Sequence, residues 1–228
     1  MEDQQHNASA LSDQPSQPLT PEEREYAKRV QFFQAAEPLF ERFGYRKTTV
    51  EEICEATQAS KRTFYELFKD KADIFIQLLL HVTNEMIEDY KVRNTPESTA
   101  IQRLNLYLDA YMDTVHNRPV FRLILEDPKL LQKLTGGGET GTVQIMESVQ
   151  AFTELIQYGI ETGEFRPLNP DVITWVIHAL MDGLYLLGSE MEPSEGYIDT
   201  PEFEQEVRAF ILNGLGVRVP GVSEQHQQ

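Results

Sequence analysis

The chain has 228 residues, 40% of them hydrophobic, which is enough apolar material for one large domain or two small ones with a buried core. Its single cysteine, Cys54, excludes an internal disulfide framework, and we interpret it as a small core residue. The first residues lack the basic and apolar segments of a signal peptide, and no apolar run reaches membrane-spanning length. These features predict a cytoplasmic protein with no membrane segment.

The net charge of −17 lies almost entirely outside one region of the chain. Residues 20–75 contain 10 basic and 11 acidic side chains, whereas the rest of the chain contains 10 basic and 26 acidic ones. A nearly neutral region in an acidic chain is compatible with DNA binding, since the acidic remainder would repel DNA from every other face. The acidic surface could equally keep the protein in solution, and the two roles are compatible.

Residues 1–19 are rich in Gln, Ser, Asp and Pro with few large apolar side chains, which predicts a disordered tail. From residue 20 onward, the chain repeatedly pairs a good N-cap residue with a proline, a combination typical of the first turn of a helix. No sustained alternation of period two lies between these pairs, so we predict an all-α protein. The five pairs are Thr20-Pro21, Thr95-Pro96, Asp127-Pro128, Asn169-Pro170 and Thr200-Pro201.

The first predicted helix runs from Pro21 to about Phe43. Thr20 and Glu23 have the spacing of a capping box at its start, and Gly44 suits the left-handed residue that ends many helices. Because proline inside a helix removes one hydrogen bond and clashes with the preceding turn, we expect a bend at Pro38.

Two short helices are predicted next, with a three-residue turn between them. Val50–Thr57 and Lys61–Phe68 carry apolar residues at helical spacing, and Gln, Ala and Ser at positions 58–60 separate them. Either Thr48 or Thr49 can cap the first of them, since a glutamate follows three residues later. This is the pattern of a helix-turn-helix, in which the second helix enters the major groove of DNA.

A long helix, Lys71–Arg93, is predicted to begin at the cap Asp70 and to connect this module with a second helical domain. Apolar stripes at helical spacing continue to the end of the chain, interrupted by three glycines at 136–138. We expect about nine helices in all. We divide the chain into a tail (1–19), a DNA-binding domain (20–70), a C-terminal helical domain for ligand binding and dimerisation (71–216), and a frayed end (217–228).

A specific set of residues recurs in order between residues 33 and 75, and it resembles the N-terminal module of TetR-family transcriptional regulators. The resemblance implies a homeodomain-like three-helix module in an all-α homodimer that binds a palindromic operator, usually as a repressor released by a small molecule. Beyond this segment, the chain fits the family only in the number and pattern of its helices. The matching residues are Ala35-Ala36-Glu37-Pro38-Leu39-Phe40-Glu41-Arg42-Phe43-Gly44-Tyr45, Thr48-Thr49, Ile53, Ser60-Lys61-Arg62-Thr63-Phe64-Tyr65, Phe68, Lys69 and Lys71.

The resemblance also assigns roles within the module, with base contacts by the start of the second short helix and phosphate contacts around it. Arg62 stands where the family often has Gly, and it could read a guanine or contact a phosphate. Thr57-Gln58-Ala59 replaces the usual Ala-Gly-hydrophobic turn, so we expect a different backbone geometry there. The predicted DNA-binding residues are Arg46, Lys47, Thr48, Thr49, Ser60, Lys61, Arg62, Thr63, Tyr65, Lys69 and Lys71.

The C-terminal domain contains aromatic and polar side chains that could line a ligand cavity. At helical spacing, such residues are more often ordinary core, so both interpretations stay open. The histidines lack metal-binding spacing, and no arrangement typical of catalysis occurs, so we predict no metal, no cofactor and no enzymatic activity. The ligand candidates are Tyr107, Tyr111, Phe121, Trp175, His178 and Tyr185.

The last two predicted helices, Pro170–Leu187 and Pro201–Gly214, have more apolar surface than one face can use. We predict that they pair with their copies in a four-helix dimer interface, which Gly183 and Gly188 would allow to pack closely. A ligand is expected to tilt the helix Lys71–Arg93 and so change the distance between the two recognition helices. The alternatives are a ligand-independent regulator or activator, and a helical enzyme or interaction protein that carries the motif.

Overall fold

The structure is a computed structural model of the chain that describes residues 19–118, 120, 121, 123, 139–189 and 200–217. Within these ranges every regular element is an α-helix, which confirms the predicted fold class. No helix in this part of the chain combines the length and the apolar character needed to cross a membrane. The helices are α1 (Pro21–Lys47), α2 (Val50–Ala56), α3 (Lys61–Leu67), α4 (Lys71–Arg93), α5 (Ala100–Asn117), α6 (Glu139–Glu161), α7 (Pro170–Ser189) and α8 (Pro201–Gly214).

Most predicted helix starts are confirmed, because a neighbouring side chain caps each of them. At the start of α1, the hydroxyl of Thr20 accepts from the N–H of Glu23 at 3.2 Å, and the Glu23 carboxylate accepts from the N–H of Thr20 at 2.7 Å. Asp70, Asn169 and Thr200 likewise accept from free N–H groups in the first turns of α4, α7 and α8.

The predicted helix start at Thr95-Pro96 is wrong. Thr95 instead begins a turn, in which its carbonyl accepts from the N–H of Ser98 at 3.1 Å. Helix α5 begins later, where Thr99 and Gln102 form a reciprocal capping box. The predicted start at Asp127-Pro128 and the glycines at 136–138 lie outside the described residues.

The regular geometry of the first helix is broken at Gly44, the residue at which the sequence predicts its end. A short helical piece continues beyond this kink and reaches Lys47. Gly44 has φ 75° and ψ 160°, and it is the residue inside α1 whose dihedral angles are not helical. The departure therefore lies at Gly44, while the backbone at Pro38 keeps helical angles.

The N-terminal core is formed by α1 to α4 and is rich in phenylalanine. The rings of Phe40 and Phe75 meet edge to face with centroids 5.0 Å apart, and Phe32 contacts Phe68 in the same way at 5.5 Å. Residues of α4 up to Val82 are buried in this core, whereas Met86, one turn further, belongs to the second core. Helix α4 therefore belongs to both halves of the molecule.

The second core lies among α5, α6, α7 and α8. The apolar side of α5 is buried in it together with Phe152 and Ile156 of α6 and Ile177 of α7. Helix α7 leaves part of its apolar surface exposed in the single chain. Its outward face exposes three large apolar side chains, Val172, Trp175 and Val176.

Candidate nucleic-acid interface

The second helix of the predicted helix-turn-helix, α3, is anchored by one buried ring. Phe64 is fully buried and lies 5.9 Å from the ring of Phe32 and 5.3 Å from that of Phe68. The residues on the other side of α3, Lys61, Arg62 and Tyr65, are exposed. Helix α3 therefore has a buried side and an exposed side, and the exposed side can approach a DNA groove.

The turn between α2 and α3 depends on a non-glycine residue in the left-handed region. Gln58 has φ 54°, and the N–H of the next residue, Ala59, donates to the carbonyl of Cys54 at 2.9 Å. The backbone thus takes the left-handed conformation that glycine adopts most easily, although the residue is Gln. Ser60 then caps α3 by accepting from the N–H of Thr63 at 3.1 Å.

The structure does not support a DNA contact by the Thr48 side chain. Thr48 is fully buried, and its hydroxyl donates to the carbonyls of Leu39 at 3.1 Å and Gly44 at 2.9 Å. Thr49 is exposed and forms the capping box of α2 with Glu52. Of the two threonines predicted as caps or phosphate contacts, Thr49 is the cap, and Thr48 joins the two ends of a bend in the backbone.

Lys71 is also held inside the module. Its ammonium donates to the carbonyls of Tyr45 and Thr48, each at 2.7 Å, and lies 4.4 Å from the centre of the Tyr45 ring. Burial lowers the pKa of Lys71 below its usual value. Lys71 thus fastens the end of α1 to the start of α4, whereas Arg46, Lys47 and Lys69 are exposed around the module.

The two cations at the start of α3 are paired with carboxylates that the sequence analysis did not single out. Lys61 forms an ion pair with Glu51 of α2, and Arg62 forms one with Glu66 one turn along α3, at 2.9 Å. The Arg62–Glu66 pair could have been found from its i, i+4 spacing. The Lys61–Glu51 pair depends on how the turn brings α2 and α3 together.

Arg29 is a further residue that sequence reasoning missed. Its guanidinium donates to the carbonyl of Leu67 at 2.7 Å and to the side-chain oxygen of Gln77 at 2.6 Å. It also lies 5.4 Å from the centre of the Phe68 ring. Arg29 therefore satisfies a carbonyl at the end of α3 and fixes that helix against α1 and α4.

The structure brings some of the predicted ligand residues together. The hydroxyl of Tyr107 lies 3.3 Å from Nε2 of His178, and Tyr111 donates to the carboxylate of Asp182 at 2.7 Å. Burial raises the pKa of Asp182, although water still reaches part of the residue. Asp182 was missed because one acidic residue in an apolar helix has no distinctive spacing.

The remaining ligand candidates lie elsewhere. Phe121 packs against both cores, and Trp175 is half exposed on α7, which does not support its assignment to a cavity. The side chain of Tyr185 lies outside the described residues. Among those residues, no three His, Cys, Asp or Glu side chains approach closely enough to hold a metal ion.

Comparisons with known proteins agree with this geometry. Residues 32–78, which span α2, α3 and their neighbours, match the family model of bacterial regulatory proteins of the tetR family. The regulator YhgD of Bacillus subtilis is 22% identical over 190 residues, which cover 80% of this chain and 93% of that protein. The regulator QacR of Staphylococcus aureus is 23% identical over 180 residues, covering 79% of this chain and 94% of QacR.

Solved structures match along most of the chain as well. The fatty acid degradation regulator FadR of Bacillus halodurans has a TM-score of 0.68 at 18% identity and covers 84% of this chain and 97% of its own. FadR of Bacillus subtilis, solved in complex with stearoyl-CoA, has a TM-score of 0.66 at 19% identity, covering 81% and 98%. These likenesses show the same fold. The helix-turn-helix module at residues 32–78 thus matches the tetR family of bacterial regulatory proteins, and the chain is similar along most of its length to proteins named as transcriptional regulators.

Proposed function

We propose that the protein is a cytoplasmic repressor that binds a palindromic DNA operator as a homodimer and leaves it when a small molecule binds the C-terminal domain. The observation that carries this proposal is the outward face of α3. Lys61, Arg62 and Tyr65 are exposed there, and buried Phe64 on the opposite side holds the helix in place. In a dimer, two such helices would enter successive major grooves of one duplex.

The proposed dimer would use α7 and α8. Trp175 of α7 and Phe210 of α8 leave 51% and 67% of their surface exposed in the single chain. Large apolar side chains that stay exposed are typical of an interaction surface. A two-fold arrangement would bury the exposed apolar face of α7 against its copy, with α8 beside it, as the sequence pattern predicts.

The proposed release mechanism depends on α4 and on one arginine. Arg118, at the end of α5, pairs with both carboxylate oxygens of Glu37 in α1, at 2.5 and 2.9 Å, and with Glu85 of α4 at 2.7 Å. These contacts tie the C-terminal domain (71–216) to the DNA-binding domain (20–70). A ligand that moved α5 would therefore shift α1 and α4, and with them the distance between the two α3 helices.

For the effector, we propose a small molecule that reaches Tyr107, Tyr111 and His178. These side chains, with Asp182, place hydroxyl, imidazole and carboxyl groups beside the apolar surface of the second core. A mainly apolar surface with a few polar groups is the usual composition of a ligand site. The stearoyl-CoA complex of the Bacillus subtilis relative makes long-chain acyl compounds a first group to screen.

Selecting binding sites from random DNA tests the proposal directly. The parent protein should enrich one palindromic sequence, with an affinity that falls steeply as salt rises. The double variant K61Q/R62Q should bind the selected site roughly 100-fold more weakly or worse, because each good base contact contributes about 1–3 kcal/mol.

The matched control for this experiment is K91Q. Lys91 is an exposed, ion-paired lysine on α4, so the variant removes one of the two positive charges that the double variant loses, at a position away from α3. It should bind like the parent. If K61Q/R62Q also binds the selected site as well as the parent does, α3 is not the recognition helix.

A further inference from the structure

The free recognition helix keeps both of its N-terminal cations in ion pairs. Glu51, in the first turn of α2, pairs with Lys61, the first residue of α3. Glu66 pairs with Arg62 on the surface of α3 itself. All four side chains are more than half exposed, so these pairs lie on the surface that would face DNA. A role of these carboxylates in DNA binding requires that α3 binds DNA, so the inference rests on the function proposed above.

The ion pair between Glu51 and Lys61 stabilises the charged form of both side chains. The hydrogen bond from Lys61 lowers the pKa of Glu51, and the same bond raises the pKa of Lys61. Both groups are therefore charged at neutral pH, and the pair joins α2 to α3. The Arg62–Glu66 pair is local, since its two residues lie one helical turn apart.

An ion pair presents little net charge to a distant phosphate. Binding to unrelated DNA depends on the positive charges that replace counterions on the phosphates. A lysine that stays with its carboxylate replaces no counterion, so a paired Lys61 contributes little to this kind of binding. At a specific site, however, base acceptors in the major groove can replace the carboxylate.

We propose that Glu51 and Glu66 are specificity-determining residues, which withhold Lys61 and Arg62 from phosphates until an operator supplies base acceptors in exchange. The two carboxylates then weaken binding to unrelated DNA more than binding to the operator. This arrangement fits an acidic protein whose DNA-binding module is itself close to neutral. It makes selectivity a property of the acidic residues as well as of the basic ones.

The test is the salt dependence of binding by E51Q to two duplexes of equal length, the selected operator and an unrelated sequence. On unrelated DNA, freeing Lys61 in both protomers should steepen the slope of log affinity against log salt by roughly two, since each added phosphate contact contributes about 0.9. Affinity for this duplex should rise by roughly 3- to 10-fold at low salt. The operator slope should stay unchanged, because Lys61 is already engaged there. E66Q should act in the same direction through Arg62.

The matched control is E55Q, which removes the same charge one turn further along α2 and leaves the Glu51–Lys61 pair intact. Equal slopes for E51Q and E55Q on unrelated DNA would overturn the inference, since the effect would then be one of net charge. A loss of operator affinity in E51Q, with its slope on unrelated DNA unchanged, would also overturn it and would show that the pair only positions α3.

The parent protein separates the failure of this inference from the failure of the proposed function. A parent that selects no sequence refutes the operator proposal and this inference together. A parent that selects an operator through Lys61 and Arg62, combined with an E51Q variant that leaves the slope on unrelated DNA unaltered, refutes only the role of the carboxylates.

Discussion

Two neighbouring threonines, Thr48 and Thr49, differ in function because their hydroxyl groups face different parts of the backbone. Thr48 is buried and donates to carbonyls of α1, including that of Gly44, where the helix departs from regular geometry. Thr49 is exposed and accepts from the first turn of α2. Adjacent residues with the same side chain therefore stabilise two different helix ends, and neither role requires DNA.

The variant T48V should unfold more easily than the parent by about 1 kcal/mol, because it removes the hydroxyl that donates to the carbonyls of Leu39 and Gly44 while keeping the shape of the side chain. Operator affinity, measured well below the unfolding temperature, should stay within about 2-fold of the parent's, since a fully buried side chain makes no phosphate contact. The measurements are chemical denaturation and a DNA titration. T48S, which keeps the hydroxyl, is the control. A T48V protein that is fully stable but binds the operator poorly would restore Thr48 as a DNA contact.

The roles of single residues were predictable where the signal is local. Buried Phe64 beside exposed Tyr65 follows from helical periodicity, and the structure confirms it. The burial of Thr48 and the carbonyl contacts of Lys71 were not predictable, because the partners of Lys71 lie 23 and 26 residues earlier in the chain. Only the fold brings such groups together.

At the scale of the helices, α5 has a start that is stabilised twice. Thr99 and Gln102 form its capping box. The carboxylate of Glu164, from the connection between α6 and α7, also accepts from the N–H groups of Ala100 at 2.9 Å and Ile101 at 3.2 Å. A negative charge at a helix N-terminus is favourable, so Glu164 ties the α6–α7 connection to the first turn of α5.

The contribution of Glu164 should depend on pH. Partial burial favours the neutral form, but the hydrogen bonds from Ala100 and Ile101 outweigh it and lower the pKa of Glu164 below the ordinary value of 4.5. A carboxyl group with a lowered pKa stabilises the folded state fully above the ordinary value, and this stabilisation is lost as the pH falls through the lower, folded-state pKa.

E164Q should therefore be less stable than the parent at pH 7, by roughly 1 kcal/mol, and the difference should shrink as the pH falls below about 4.5. Thermal unfolding of both proteins across the acid range measures it. The control is E161Q, which alters an exposed carboxylate at the end of α6. A stability difference that is constant, or that grows in acid, would contradict the assigned role of Glu164.

Helix boundaries were predictable where one capping residue stands alone, as at Thr20, Asp70 and Thr200. They were not where two caps compete. Thr95 and Thr99 are both good caps, and the sequence pattern favoured Thr95 because a proline follows it. The structure uses Thr99, whose capping box is supported by Glu164 from a distant part of the chain.

At the scale of the whole molecule, the exposed apolar side chains and the polar helix α3 belong to different parts of the chain. Helix α7 exposes Val172, Trp175 and Val176 and α8 exposes Phe210, whereas the exposed side of α3 is polar. We expect the apolar surface to be covered by a second copy of the chain. The sequence of α7 has apolar residues on nearly all sides of the helix. Only the fold shows which of these residues stay exposed in the single chain.

The variant W175E should convert the proposed dimer into a monomer, because it places a charge at a side chain that is 51% exposed in the single chain and that the dimer would bury. Light scattering during gel filtration measures the mass, and operator affinity should fall with the loss of the second half-site.

The matched control for W175E is V92E, since Val92 is 83% exposed at the end of α4, away from the α7 surface. V92E should stay dimeric. If W175E stays dimeric, as V92E should, α7 is not at the interface.

Long-range contacts between the two halves were beyond the sequence analysis. Arg118 and Glu37 are 81 residues apart, and no local pattern indicates that they meet. Their pairing follows from the way the chain returns to α1 after α5. The fold class, the recognition helix and most capped helix starts depend on short-range signals, whereas this interdomain contact depends on the complete arrangement of helices.

The position of Val120 has a consequence for synthesis of the protein on the ribosome. Val120 is fully buried in the core that contains Phe32, Phe64 and Phe75, although it follows α5 in the chain. The N-terminal core therefore cannot be complete when α4 emerges, since Val120 has still to be synthesised. Contacts between residues far apart in sequence also form slowly. The core that holds α3 in place is therefore completed only after α5, the first helix of the second core, has been synthesised.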